Sequence, residues 1–291
     1  MRAWLNGQLL DDANDSNDSN DADGSTGETR TIGAALSVTD HGFTVGDGVF
    51  ESIKTLYGEP FALTRHLDRL ARSATGLGLP KPDDAEVRRG VAEVLAGTSD
   101  PLGRLRITYT GGPAPMGSGR GDGPATLVVA YSSVNKLPPA TAVATVPWPR
   151  NERGATAGLK TTSYAENVIA LARASERGAS EAIFANTIGN LCEGTGSNVF
   201  YVLDGELRTP TLDSGCLAGV TRALVLEWCG GVEVDEPISV IEHASEAFLV
   251  STTRDVQAIS RWDDRALAAP GPITLECART WAQRESEHLD P

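Results

Sequence analysis

Residues 154–179, GATAGLKTTSYAENVIALARASERGA, decide how the chain is read. A Gly-rich loop ends on Lys160, a short polar turn follows, and helical periodicity runs from about Tyr164 to Glu176. Most lysines are solvated surface charges, so this position alone says little. Three features elsewhere give it company. Glu193 lies in a short turn, LCEGTGSN (191–198), between two apolar strands. SGCLAGVTR (214–222) offers small residues and free backbone N–H groups at a helix start, a usual anion cradle. EAFLVSTT (246–253) ends a buried strand in three hydroxyls. A lysine, an isolated acid and an anion cradle together describe a pyridoxal phosphate site.

The rest of the chain is compatible with a small-molecule enzyme. Its 291 residues, 40% hydrophobic and 22% charged, suffice for one or two domains with a sizeable core. No basic head precedes an apolar run and no stretch is long and apolar enough to span a bilayer, so the expected location is cytoplasmic. A formal charge of −14 disfavours nucleic acid and anionic membrane as partners. Cys192, Cys216, Cys229 and Cys277 show no CxxC pair and no histidine at ligand spacing; they are expected to be reduced thiols, with no metal site. The stretch 11–30 alone carries seven acids and one arginine and reads as a disordered insertion dispensable to chemistry. A calcium loop fails there: counting from Gly24, the first ligand is Ser19 and the twelfth Arg30.

Strands are expected at Ala3–Leu10, near Gly33–Val38, after the turn at VGDG (45–48), and at Arg104–Thr110 and Thr126–Tyr131. Thr64 can cap a helix from Arg65 to about Thr75, and a second helix spans roughly Asp83–Leu95. The Pro-marked stretch 132–140 is the expected linker between a small N-terminal domain, 1–131, and a larger one, 141–291. The second half adds a strand at Thr141–Val146, the helix after Lys160, several strands, a helix over Arg222–Trp228 and the buried strand EAFLVSTT. The pattern is α+β with two domains.

DHGFTVGDGVFESIKT (40–55), RHLDRL (65–70), LKTTSYAENVIALARA (159–174), NLCEGTGSNVF (190–200), GCLAGVTR (215–222) and FLVSTTRD (248–255) follow one another in an order that resembles the class IV, or fold type IV, pyridoxal-phosphate enzymes. This family includes branched-chain and D-amino acid aminotransferases and aminodeoxychorismate lyases. The resemblance covers nearly the whole chain apart from 11–30. It implies that Lys160 holds the cofactor as an aldimine and later shuttles a proton. It also implies that Glu193 faces the pyridine nitrogen. Arg69, Val220, Thr221, Ser251 and Thr252 match the phosphate-binding positions. Tyr164 lies near the place of a tyrosine on the cofactor's phenolic oxygen, one residue closer to the lysine than in branched-chain enzymes.

The family shares one site among several reactions, so substrate must come from other residues. Glu51 sits where the aminotransferases carry Phe-Glu or Tyr-Glu and favours transamination. Arg104 and Arg106 alternate with Leu105 on one strand face, and either is a candidate for a substrate carboxylate. The loop TGGPAPMGSGRG (110–121) is closer to lyase-like members. The leading reading is an aminotransferase acting on an amino acid and a 2-oxo acid; an aminodeoxychorismate lyase and a non-catalytic pyridoxal-phosphate-binding protein stay open. GSGRG (117–121) lacks the strand-to-helix setting of a dinucleotide loop and is expected to be mobile over the active site. The resemblance further implies a homodimer in which loop 111–124 closes over the neighbour's site. No GxSxG motif accompanies the four histidines, which removes hydrolase readings.

Overall fold

The computed structural model of the chain describes residues 1–10 and 35–291; the acidic 11–30 segment lies outside the described residues. The expected first strand is two strands. β1 (Arg2–Leu5) and β2 (Gln8–Leu10) form a hairpin closed by Asn6 and Gly7, both at positive φ (45° and 97°). An Asn-Gly pair takes that conformation at little cost, which is why the chain reverses there instead of running on. The strand expected near Gly33–Val38 is absent over its described part, Ala35–Val38. A single helical turn, α1 (His41–Thr44), is capped instead by the Asp40 carboxylate, which accepts the Gly42 N–H at 2.8 Å.

β3 (Gly48–Leu56) and β4 (Glu59–Pro60) follow, then α2 (Leu63–Gly76), α3 (Asp84–Leu95), β5 (Gly103–Thr110) and β6 (Thr126–Ser133). The strands make an antiparallel sheet in the order β2-β1-β6-β5-β3-β4. Val49 and Ile53 of β3, Leu105 and Ile107 of β5 and Val129 of β6 pack against Leu67 and Leu70 of α2 and Val87, Val91 and Val94 of α3. Strand alternation sends one set of side chains to this core and the other to the opposite face. Thr64 does not cap α2. The helix begins two residues earlier, after Ala62 at φ 54°, and Thr64 donates both its N–H (2.9 Å) and its hydroxyl (2.6 Å) to Asp290.

Residues 134–139 cross to a second, larger sheet. Its elements are β7 (Ala140–Thr145), α4 (Ala165–Glu176), β8 (Glu181–Ala185), β9 (Leu191–Gly194), β10 (Asn198–Leu203), β11 (Glu206–Pro210), α5 (Val220–Cys229), β12 (Val232–Val234), β13 (Glu246–Ser251), β14 (Asp255–Trp262), β15 (Arg265–Ala266) and α6 (Pro272–Glu287). The order is β12-β11-β10-β13-β14-β7-β8-β9, with β15 on β14. β7 runs parallel to both β8 and β14, while β10, β13 and β14 are antiparallel neighbours. Two sheets with segregated helices make a two-domain α+β fold.

α6 had no counterpart in the sequence reading, because its apolar positions are few. Pro272 starts it, and Trp281 packs edge-on to Phe61 and tilted against Trp228 of α5. That packing also corrects the reading of the cysteines. Cys229 at the end of α5 and Cys277 within α6 pair as a disulfide across a Cα separation of 5.5 Å, whereas Cys192 and Cys216 are free and buried. The two partners lie 48 residues apart, so only the helix packing brings them together. Among the described residues, no helix is long and apolar enough to cross a membrane.

Candidate active site

Lys160 reaches its place by pairing along β3. Its carbonyl accepts the Phe50 N–H at 3.0 Å, Thr161 bridges Val49, and the Thr162 N–H donates to the Gly48 carbonyl at 2.8 Å. The Lys160 N–H adds a bond to Ser73 Oγ of α2 at 3.2 Å. The side chain thereby enters a cavity of about 460 Å³ between the two sheets. Its Nζ lies 4.3 Å from the Phe50 ring centroid and 5.9 Å from that of Tyr164, and those two rings meet edge to face at 5.2 Å. Burial, seconded by the nearby positive charge of Arg69, pushes the ammonium pKa down to about 8.

Glu193, near the end of β9, lines the same cavity. Its Oε2 accepts the Leu217 N–H at 2.9 Å, and Oε1 lies 3.4 Å from Arg150 Nε. Burial pushes this carboxyl up, against the pull of Arg150 and the Leu217 N–H. Sequence reading missed Arg150, which looked like one charge in a loop after β7. Its guanidinium stacks 4.1 Å from the Phe184 centroid and donates to Asn167 Oδ1 at 2.9 Å, and Nε is buried with no hydrogen-bond acceptor. No spacing in the sequence points to that role.

At the other end of the cavity, α5 starts after Gly219 with no side-chain cap, so its first N–H groups stay open to an acceptor. A side chain at position 219 would place its Cβ 2.1 Å from Asn198 Oδ1, and only glycine allows that approach. Val220 and Thr221 on α5 and Ser251 and Thr252 at the end of β13 line this end together with Arg69. Arg69 Nη1 donates to the Ala218 carbonyl at 3.1 Å, which joins α2 to the loop leading into α5.

Glu51 corrects an expectation. It does not face the cavity as a substrate residue; it is fully buried on the other side of β3, bonded to Arg69 and to His66 Nδ1 at 2.7 Å. The reason is alternation: Phe50 and Ser52 point into the cavity, so Glu51 between them points at α2. Arg104 and Arg106 do line the cavity, opposite Lys54 and Ser52 across the β3–β5 ladder. The Arg106 guanidinium sits 3.5 Å above the Phe50 ring, with Nε on Thr108 Oγ1 at 3.3 Å. Loop 111–124 does not lie over this chain's own cavity. Arg120 pins it elsewhere, bonding both oxygens of Asp47 (2.6 and 2.7 Å) and the Leu77 and Gly78 carbonyls at the end of α2. Among the described residues, no group of His, Cys, Asp or Glu could hold a metal ion.

A half-buried lysine, a half-buried acid and an open helix start converging on one cavity are the site of a fold type IV enzyme. The sequence profile of class IV amino-transferases matches residues 48–262. The D-alanine aminotransferase of Bacillus licheniformis is 30% identical, over 82% of this chain and 88% of that one. A bifunctional aminodeoxychorismate lyase and D-amino acid transaminase of Mycobacterium tuberculosis is 32% identical over 62% of this chain and 68% of its own. The crystal structure of a branched-chain aminotransferase from Thermoproteus uzoniensis with norvaline superposes with a TM-score of 0.83 at 28% identity, covering 97% of this chain and 94% of that one. The chain belongs to the class IV aminotransferase family, whose members are pyridoxal-phosphate-dependent enzymes.

Proposed function

We propose that the chain binds pyridoxal phosphate in this cavity and transfers an amino group between an amino acid and a 2-oxo acid. The observation that carries the reading is the Lys160 amine, held neutral more easily than an ordinary lysine and placed in one cavity with Glu193 and the open start of α5. These residues fit the cofactor's ends: Arg69, the first N–H groups of α5, Thr221, Ser251 and Thr252 suit a phosphate, and Glu193 suits a protonated ring nitrogen. When bound, the cofactor supplies an electron sink for negative charge developing at the substrate Cα. Lys160 then serves twice, as covalent tether and as the base that takes and returns the Cα proton, a role a neutral amine can fill near pH 8. Glu193 keeps a proton on the ring nitrogen, with Arg150 holding the carboxyl in place. Arg104 and Arg106 attract a substrate carboxylate, Arg106 from its seat on Phe50.

The working unit is a homodimer in this reading. Val168, Ile169 and Leu171 of α4 are 64%, 57% and 41% exposed, an apolar face that a second copy would cover. The loop that Arg120 pins is then held in place to close the neighbour's cavity.

The test is to mix the holoenzyme with a panel of L- and D-amino acids and follow the cofactor's visible absorbance, then to assay pyruvate release from aminodeoxychorismate. Spectral conversion with regeneration by a 2-oxo acid supports the transferase. Pyruvate release without such conversion would replace it with the lyase that the bifunctional mycobacterial relative brings to mind.

A further inference from the structure

Lys54 is buried in a way the proposed chemistry does not use. On β3 it is the next residue after Phe50 and Ser52 on the same face, just past the rim of the cavity. It is 2% exposed, and its ammonium pairs with Asp255 at the start of β14 and with Glu285 of α6. Two aromatic rings, themselves in edge contact, lie beside it, with centroids 5.3 Å (Phe61) and 5.6 Å (Trp281) from Nζ. Trp281 also donates to Glu285 at 3.2 Å. One cation therefore joins the small sheet, the large sheet and α6.

What it holds is a short turn. Ser251 ends β13 and Asp255 begins β14, so residues 252–254 reverse the chain between them. Asp255 sits at φ 53°, in the left-handed region that Asp and Asn enter more readily than other L-residues, which suits it to the first position after this tight reversal. Thr252 Oγ1 donates to the Ser52 carbonyl at 2.9 Å, the second point where this turn is fastened to β3. Arg254 reaches the other way, to Gln257 and to the Ser180 carbonyl at 3.0 Å. Ser251, Thr252 and Thr253 all line the cavity.

We propose that Lys54 is a positioning residue that sets the phosphate end of the cofactor site by clamping Asp255 and so fixing the Ser251–Asp255 turn against β3. The inference rests on the reading that the cavity takes pyridoxal phosphate. A salt bridge this buried is weak evidence for stability in itself, since desolvating the ions offsets their attraction; its value lies in the geometry it fixes. Removing it frees the Asp255 end of the turn from β3 and moves the Ser251 and Thr252 hydroxyls away from the phosphate, while the pyridine end, held by Glu193 and Lys160, is untouched.

The test compares pyridoxal phosphate with pyridoxal, which lacks the phosphate, titrated into the apoprotein by tryptophan fluorescence and equilibrium dialysis. Lys54→Met, which keeps an apolar chain beside Phe61 and Trp281 without charge, should weaken pyridoxal phosphate binding roughly tenfold or more, the scale seen when a supporting partner is removed from a bound group. Pyridoxal binding should change little, and Lys54→Arg should restore most of the loss. Asp255→Asn, which keeps a residue tolerant of positive φ, should show the same phosphate-dependent loss if Lys54→Met folds poorly. Equal weakening of both ligands, or unchanged pyridoxal phosphate binding in both variants, overturns the proposal. A wild-type protein that binds neither ligand overturns the cofactor reading and this proposal with it, whereas a wild type that binds both and variants that lose neither overturn the proposal alone.

Discussion

Arg69 is gripped by Glu51 through two parallel bonds, Nε to Oε1 at 2.8 Å and Nη2 to Oε2 at 2.7 Å, with both side chains sealed from solvent. Burial alone would raise the carboxyl pKa; the Arg69 charge and the bonds from Arg69 and His66 outweigh it and hold it at about 2. The guanidinium offered to the cavity thus has a fixed plane.

Glu51→Gln should strand Arg69 without a counter-charge and destabilise the protein by about 3–5 kcal/mol, as breaking a buried pair does. The pH signature follows from the depressed value. The contribution is complete above the ordinary glutamate range and is lost as pH falls toward about 2. Urea titrations of wild type at pH 5 and pH 3 should show a stability difference that shrinks in the variant; equal pH dependence in both would refute the clamp.

Lys160→Ala should fold and carry no covalent cofactor. In wild type, borohydride reduction and peptide mapping should place the label on Lys160, and mapping to another lysine would sink the assignment. The rate of covalent loading should rise with pH through an inflection near 8 instead of near the ordinary lysine value of 10.5, because only the neutral amine attacks a carbonyl.

Glu193→Gln keeps the shape and removes the charge. Turnover should fall by roughly 10²-fold, about 2.7 kcal/mol of lost stabilisation at the reacting carbon, with cofactor still bound. Unchanged turnover would show that the ring nitrogen does not rely on this carboxylate.

Arg106→Leu should raise KM for the amino acid and the 2-oxo acid roughly tenfold or more, as losing a hydrogen bond to a charged carboxylate does. The cofactor affinity should hold, since Arg106 bonds no residue of the phosphate end. A KM within twofold of wild type would assign the carboxylate to Arg104 or elsewhere.

Much of this site was legible in the sequence because its parts are local. Lys160 before a helix, Glu193 in a short strand end and the small residues ahead of α5 each announce themselves within ten residues, and the cavity gathers all three. What was not legible depends on contacts far apart in the chain. Arg150 gains its meaning only when β7 and β9 bring it beside Glu193, and Glu51 only when β3 turns its odd positions toward α2. The Cys229–Cys277 pair and the Asp290 cap on α2 are likewise made by α6 and the residues after it, a region whose weak apolar periodicity gave no warning.

β3 acts as a ruler with two graduated edges. Its even positions supply Phe50, Ser52 and Lys54 to the cavity side, while the odd ones supply Val49 and Ile53 to the core and Glu51 to Arg69. Substitution and insertion are therefore different kinds of mutation here. A substitution in 49–54 removes one job; a one-residue insertion or deletion exchanges the two edges, putting a carboxylate into the cavity and an aromatic ring against the guanidinium. Functional relatives of this chain should accordingly tolerate single substitutions in this stretch better than any change in length between Val49 and Lys54.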